Sequence, residues 1–254
     1  MRKIRALFFA FFIAAFSLQA QTIKNNSGIY NVKNSGAKGD GINLDTKAIN
    51  NAIEEAAAAG GGTVYFPAGS YLSGSVHLKS NITLYLDAGA ILIAAPVENQ
   101  SEYDLPENNV SNKYEDFGHR HWHNSLIWGE NLHDISIIGR GMIWGKGLER
   151  ENKDENDTHP NKSISLYLCR NVIIRDISML HAGWFAVLAT GVDNLTIDNV
   201  KMDTNRDGID RDGCRNVRIS NCSGKSPFDY GICLKSSYGL GLARSTEKLT
   251  MTTC

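Results

Sequence analysis

"RNVIIRDI" (170–177), "DNLTIDNV" (193–200), "RNVRISNC" (215–222) and "EKLTMTTC" (247–254) share one layout, a polar residue followed by alternating apolar residues. Aligning Val172, Leu195, Val217 and Leu249 gives steps of 23, 22 and 32 residues, the last lengthened by the insertion "SYGLGLARSTE" (237–247). Two echoes, "SNITLYLD" (80–87) and "ENLHDISIIG" (130–139), carry the pattern toward the N-terminus with larger insertions between them. Alternation of period two marks strands, and recurrence near 22 residues marks a solenoid whose coil is several short strands. A leucine-rich repeat has a similar period, but its Leu-x-x-Leu-x-Leu frame is missing here. The expected fold is all-β, a right-handed parallel β-helix.

The cysteines follow the same register. Cys169 and Cys214 each precede an aligned apolar position by three residues, and Cys222 and Cys254 each follow one by five. That placement predicts buried, stacked thiols or an occasional bond between coils, since free cysteine packs as a small hydrophobe. With Cys233 the total is five, so at least one thiol stays free or pairs between chains. No C-x-x-C occurs, which argues against a zinc knuckle or redox motif.

One helix is expected. Asp45 stands at the N-cap of "TKAINNAIEEAAAAGGG", with Ile49, Ile53 and Ala56 as an apolar stripe and Gly60 as the stop. Solenoids need their terminal coils covered, so this helix reads as an N-terminal cap. At the other end the chain stops at Cys254 inside a strand-like segment, so C-terminal coils are expected to be missing.

The 254 residues, 42% hydrophobic and 21% charged, suit one large domain over residues 21–254. Twenty-six basic against twenty-seven acidic side chains and no basic run argue against a nucleic-acid partner. Arg2, Lys3 and Arg5 precede an apolar run from Ala6 to Phe16, with small and polar residues around Ala20. This is the layout of a secretory signal peptide over residues 1–20, cut near Ala20, and the run is short for a membrane span. A secreted or periplasmic, monomeric mature protein without a membrane segment is expected.

Candidate chemistry sits in "TNRDGIDRDG" (204–213) and "SPFDYGICLKSS" (226–237). A 22-residue coil stacks Asp229 over Asp207, on one face and about 4.8 Å apart along the sheet direction. Two close carboxylates separate into an acid and a base at one pH, which glycosidic-bond hydrolysis requires. Both acids also sit where turns form, beside Gly208 and Gly231, so a purely structural reading stays open.

The two stretches together resemble glycoside hydrolase family 28, the polygalacturonases and their relatives. The opening "YNVKNSGAKGDGINLDTKAINNAIEEAAAAGGGTVYFPAGSYLSG" (30–74) resembles the family's N-terminal region. The resemblance implies a parallel β-helix that hydrolyses pectic polysaccharide or oligosaccharide with inversion and without a metal or other cofactor. It also implies roles: Asn205 and Asp207 match the motif whose acid activates water, with Arg206 where Thr is usual. Asp229 matches the general acid, while Tyr230 occupies the place of a second water-activating acid. A phenol with an ordinary pKa near 10 is a poor base, so activity is expected to be impaired unless Asp207 suffices alone. The family's Gly-His-Gly and Arg-x-Lys motifs occur nowhere in the chain.

A polyuronate is anionic, so cations should line the groove. Lys235 and Arg206 are the candidates, and Trp184, one coil below the acids, could stack on a sugar or pack in the core. His119, His121 and His123 alternate as metal ligands might be spaced, but the long flanking loop favours the wall of a cleft, and no metal site is expected. Two alternatives are a non-catalytic carbohydrate-binding β-helix and a calcium-dependent pectate lyase.

Overall fold

The structure, a computed structural model, describes residues 28–96, 102–108, 119–150 and 159–254. The expected signal segment lies outside the described residues.

Three parallel sheets of eight, seven and six strands form the faces of a right-handed β-helix. One complete coil runs from the strand Arg170–Arg175 in the eight-stranded sheet, through Ser178–Leu180 in the seven-stranded sheet, to Phe185–Thr190 in the six-stranded sheet. The aligned apolar positions pair as the repeat predicts: Val172 with Leu195, Leu195 with Val217, and Val217 with Leu249. Both N-terminal echoes join the same sheet, as the strands Ile82–Leu86 and His133–Gly139.

Burial follows the alternation. In Asp193–Asp198, Leu195 and Ile197 point inward and are fully buried, while Asn194 is exposed. Stacking these inward rows of Val, Ile and Leu makes one continuous core along the axis, with the hydrophobic effect as its driving force. Cys169, Cys214 and Cys222 are buried free thiols in this stack, and Cys254 is a free exposed one. Burial pushes the thiols of Cys169 and Cys222 up to about 11, so they are packing residues and poor nucleophiles.

Three strands of the eight-stranded sheet, Arg170–Arg175, Asp193–Asp198 and Arg215–Ser220, have left-handed backbone at their second residue. Asn171, Asn194 and Asn216 all have φ near +55°, and their amides stack into a ladder. Asn194 Nδ2 donates to Asn171 Oδ1 at 2.8 Å, and Asn216 Nδ2 donates to Asn194 Oδ1 at 3.0 Å. Asn tolerates this conformation better than other residues with a Cβ, so the recurrent Asn has a steric reason as well as a hydrogen-bonding one.

The helix Thr46–Ala58 buries Ile49, Ala52, Ile53 and Ala56 and packs on the first coils, as a cap should. Asp45 holds the N-cap position but makes no capping bond with its side chain. Its carboxylate instead accepts from the backbone N–H of Lys38, at 2.6 Å, and of Gly39, at 2.9 Å. A preceding loop that folds back onto Asp45 has taken the acceptor which the helix end would otherwise use. No helix among the described residues is long and apolar enough to cross a membrane.

Candidate active site

The outward face of the six-stranded sheet carries the polar residues. In the strand Ile209–Asp212, Ile209 points into the core while Asp210 and Asp212 alternate outward, and all four residues are buried. The neighbouring strand Ile232–Lys235 pairs Ile232 with Ile209 and Lys235 with Asp212, an offset of 23 residues. The preceding sheet of the same coil pairs Lys225 with Asp203, an offset of 22. One additional residue therefore lies in the turn between Lys225 and Ile232, which contains Pro227.

That residue corrects the expected stacking. Asp229 lies over Arg206, not over Asp207: Arg206 donates from one terminal guanidinium nitrogen to Asp229 Oδ2 at 2.9 Å. Tyr230 lies over Asp207 and donates its backbone N–H to Asp207 Oδ1 at 3.2 Å. The close approach of the coils here depends on Gly208, where a Cβ would meet the Gly231 carbonyl oxygen at 2.3 Å. Asp207 and Asp229 remain near neighbours, because the backbone N–H of Tyr230 lies 3.2 Å from Asp207 Oδ1 and 3.1 Å from Asp229 Oδ1.

Asp210, which the repeat does not single out, is the hub of the site. It is fully buried, and its Oδ2 lies 3.0 Å from His119 Nε2 and 3.1 Å from Lys235 Nζ. Burial alone would push Asp210 up, but His119, by hydrogen bond and charge, and the Lys235 ammonium together hold it below the usual carboxylate range. Asp207, 1% exposed, is pushed the other way, to about 7. Burial contributes most; the hydrogen bond and charge of Asp210 come next, then the charge of Asp229, with Lys235 partly opposing. Two adjacent carboxyls thus separate into a carboxylate and a group that titrates near neutrality.

The three histidines diverge. His119 is buried against Asp210 and sets its ring edge on Phe185. The backbone N–H of His121 is bound by Glu107, and His123 Nε2 pairs with Glu130 Oε2 at 2.8 Å. Segment 119–125 therefore forms a wall along the outward face of the sheet, with His119 against Asp210. Trp122 from this wall stacks on Tyr167, with ring centroids 4.0 Å apart, beside a cavity of about 510 Å³ lined also by Glu107, Asn108 and Glu130. His119, Asp207 and Asp210 each offer one donor atom within 4.8 Å of the others, a possible cation cradle. The Lys235 ammonium already places a positive charge on Asp210 there, which does for the carboxylates what an ion would.

Trp184 is 1% exposed and has no open face for a sugar. It packs with Phe185 and Leu188, and its ring supports Arg206, whose guanidinium carbon lies 5.5 Å from the Trp184 centroid and 5.8 Å from that of Phe185. Asn205 is held through its backbone, by Gly183 below and Phe228 above. Beyond Asp229 the rim is apolar and open: Phe228 is 76% and Tyr230 66% exposed.

Fold and site together define a parallel β-helix with Asp210 and Lys235 on one outward sheet face and Asp207, Asp229 and Arg206 in the turns leading into it. Residues 29–142 match the family described as "Rhamnogalacturonase A/epimerase, pectate lyase-like". The chain is 30% identical over 231 residues to a Vitis vinifera protein named "Probable polygalacturonase", an alignment covering 85% of this chain and 46% of that one. It is 52% identical over 61 residues to mannuronan C5-epimerase AlgE5 of Azotobacter vinelandii, covering 21% of this chain and 6% of that one. Among solved structures, the family 28 exopolygalacturonase of Yersinia enterocolitica superposes with a TM-score of 0.70 at 21% identity, covering 88% of this chain and 48% of that one. At 21% identity that likeness shows the fold alone, the right-handed parallel β-helix already described. The chain spans about half the length of the curated polygalacturonase relative.

Proposed function

We propose that this protein is an exported glycoside hydrolase that cleaves a pectic polyuronate with inversion, using Asp229 as general acid and Asp207 as water-activating base. The observation that carries this reading is Asp207: a buried carboxyl pushed up to about 7 by burial and by Asp210, one coil below a second acid. A group that titrates near the working pH exchanges protons most effectively as a general base. In the reaction, water attacks the anomeric carbon as the bond to the leaving oxygen breaks. Asp229 gives its proton to that oxygen, and Asp207 takes one from the water. Lys235 and Arg206 supply positive charge beside the uronate.

Polygalacturonate digestion, read by reducing ends and by the anomer first formed in proton NMR, tests the proposal. Net inversion supports it. Retained configuration, or no reducing ends from any pectic substrate, overturns it.

The likeness to a mannuronan C5-epimerase favours one second reading, abstraction of the C5 proton of a uronate by Asp207 without hydrolysis. Incubation in deuterated water separates the two: deuterium at C5 with no new reducing ends selects the second. Unsaturated products lost on chelation would instead select the calcium-dependent lyase.

A further inference from the structure

We propose that Asp229 acts as a built-in competitor for the substrate carboxylate, so that a uronate binds by taking Arg206 away from Asp229 and thereby frees this acid for catalysis. The inference rests on the hydrolase reading of the same site and adds to it a specificity-determining residue, Arg206, and a way of coupling binding to acid function.

The geometry supplies each part. Arg206 and Asp229 form an ion pair of 2.9 Å, with side chains 15% and 23% exposed. A carboxylate in a charge-assisted bond to a guanidinium is an acceptor and cannot donate a proton. Asp229 can protonate a leaving oxygen only after the pair is broken and its carboxylate has taken up a proton from solvent. Arg206 is the better anchored partner, because its guanidinium lies over the faces of Trp184 and Phe185, a cation–π arrangement that fixes a planar cation well. Asp229 is on the turn Ser226–Gly231, whose flanking Phe228 and Tyr230 are largely exposed. Exchange therefore leaves the guanidinium in place and moves the acid.

The incoming group must resemble the group displaced. A free uronate carboxylate matches the planar fork of Arg206, whereas a methyl-esterified uronate or a neutral hexose has no charge to offer in exchange. Asp207, 1% exposed behind this pair, also needs access to water before it can act. Separation of the pair opens the groove at that position. After cleavage Asp229 is again a carboxylate and recaptures Arg206, which helps release the product.

Calorimetric titration of the intact chain with trigalacturonate and with its methyl ester tests the exchange without requiring turnover. Removing the competitor by Asp229→Asn should tighten trigalacturonate binding by about 5–30-fold, because the uronate no longer has to displace a carboxylate from Arg206. The ester's affinity should not change. Arg206→Thr should abolish the preference for the free acid over the ester, and should do so in KM more than in kcat wherever turnover is measurable. If Asp229→Asn binds the free acid no more tightly than wild type while wild type binds it, the exchange is wrong and the hydrolase reading stands. An Arg206→Thr variant that keeps the full preference for the free acid also overturns the exchange. If wild type neither binds nor cleaves any oligouronate, both readings fail together.

Discussion

Lys235 Nζ lies 3.1 Å from Asp210 Oδ2 and 3.0 Å from His119 Nε2, so a strand, its neighbour and a groove wall meet through one buried charge pair. Removing one member of a buried pair leaves the other uncompensated, which costs more than the pair itself contributes. Lys235→Met should therefore lower stability by about 2–4 kcal/mol, discounted from the fully buried case because Lys235 is partly exposed. Urea unfolding followed by circular dichroism measures it.

Asp207 makes stability depend on pH in an unusual direction. Its pKa in the folded protein, about 7, exceeds that of the unfolded chain, so the folded state binds the additional proton. Its contribution is fully present below about pH 4 and is lost as pH rises through 7. Asp210, held below the ordinary range, works in the opposite direction but only in acid. Between pH 5 and 8 the wild type should lose on the order of 2–3 kcal/mol relative to Asp207→Asn. Denaturant melts of both proteins at the two pH values check the sign.

Tyr230 stands where a second water-activating acid is expected, with its backbone N–H on Asp207. Tyr230→Asp should raise the initial rate on polygalacturonate by about 10²-fold, the lower end of what a positioned base contributes. Reducing-end assays at matched protein concentration give the ratio, and a ratio of one would show that this position takes no part in the reaction.

Arg211 alternates inward from the same strand and is fully buried, with its guanidinium nitrogens lacking hydrogen-bond partners among the described residues. Burial lowers its pKa. Replacing a buried, unpartnered charge by an apolar side chain of similar length removes a desolvation cost. Arg211→Met should stabilise the chain by about 1–4 kcal/mol, seen as a higher urea midpoint at unchanged slope.

Asn194 sits in the middle of the amide ladder at φ 55°. Asn194→Ala loses two side-chain bonds and places an ordinary residue in left-handed backbone, for a cost of about 1–3 kcal/mol. Asn194→Gly loses the same bonds without the steric cost and should be less damaging. Equal losses in the two variants would mean that the ladder, and not the backbone conformation, sets the value.

The sequence by itself determined the coil. Apolar residues recurring in steps of 23, 22 and 32 positions fixed the register of Val172, Leu195, Val217 and Leu249, because inward burial and period-two alternation are written locally and repeat. It also brought Asp207 and Asp229 to neighbouring coils and flagged Arg206 and Lys235. Tertiary structure decided what those residues do. One additional residue in the turn around Pro227 set Asp229 on Arg206 and put Tyr230 on Asp207, a shift that a constant repeat conceals. Asp210 lies three residues after Asp207, on an outward position that alternation does mark, but nothing local distinguishes it from a solvated strand acid. Its importance comes from His119, 91 positions earlier in sequence, reaching it through the folding of a non-repeating loop. Such a contact follows from chain closure and burial in three dimensions, and periodicity carries no record of it.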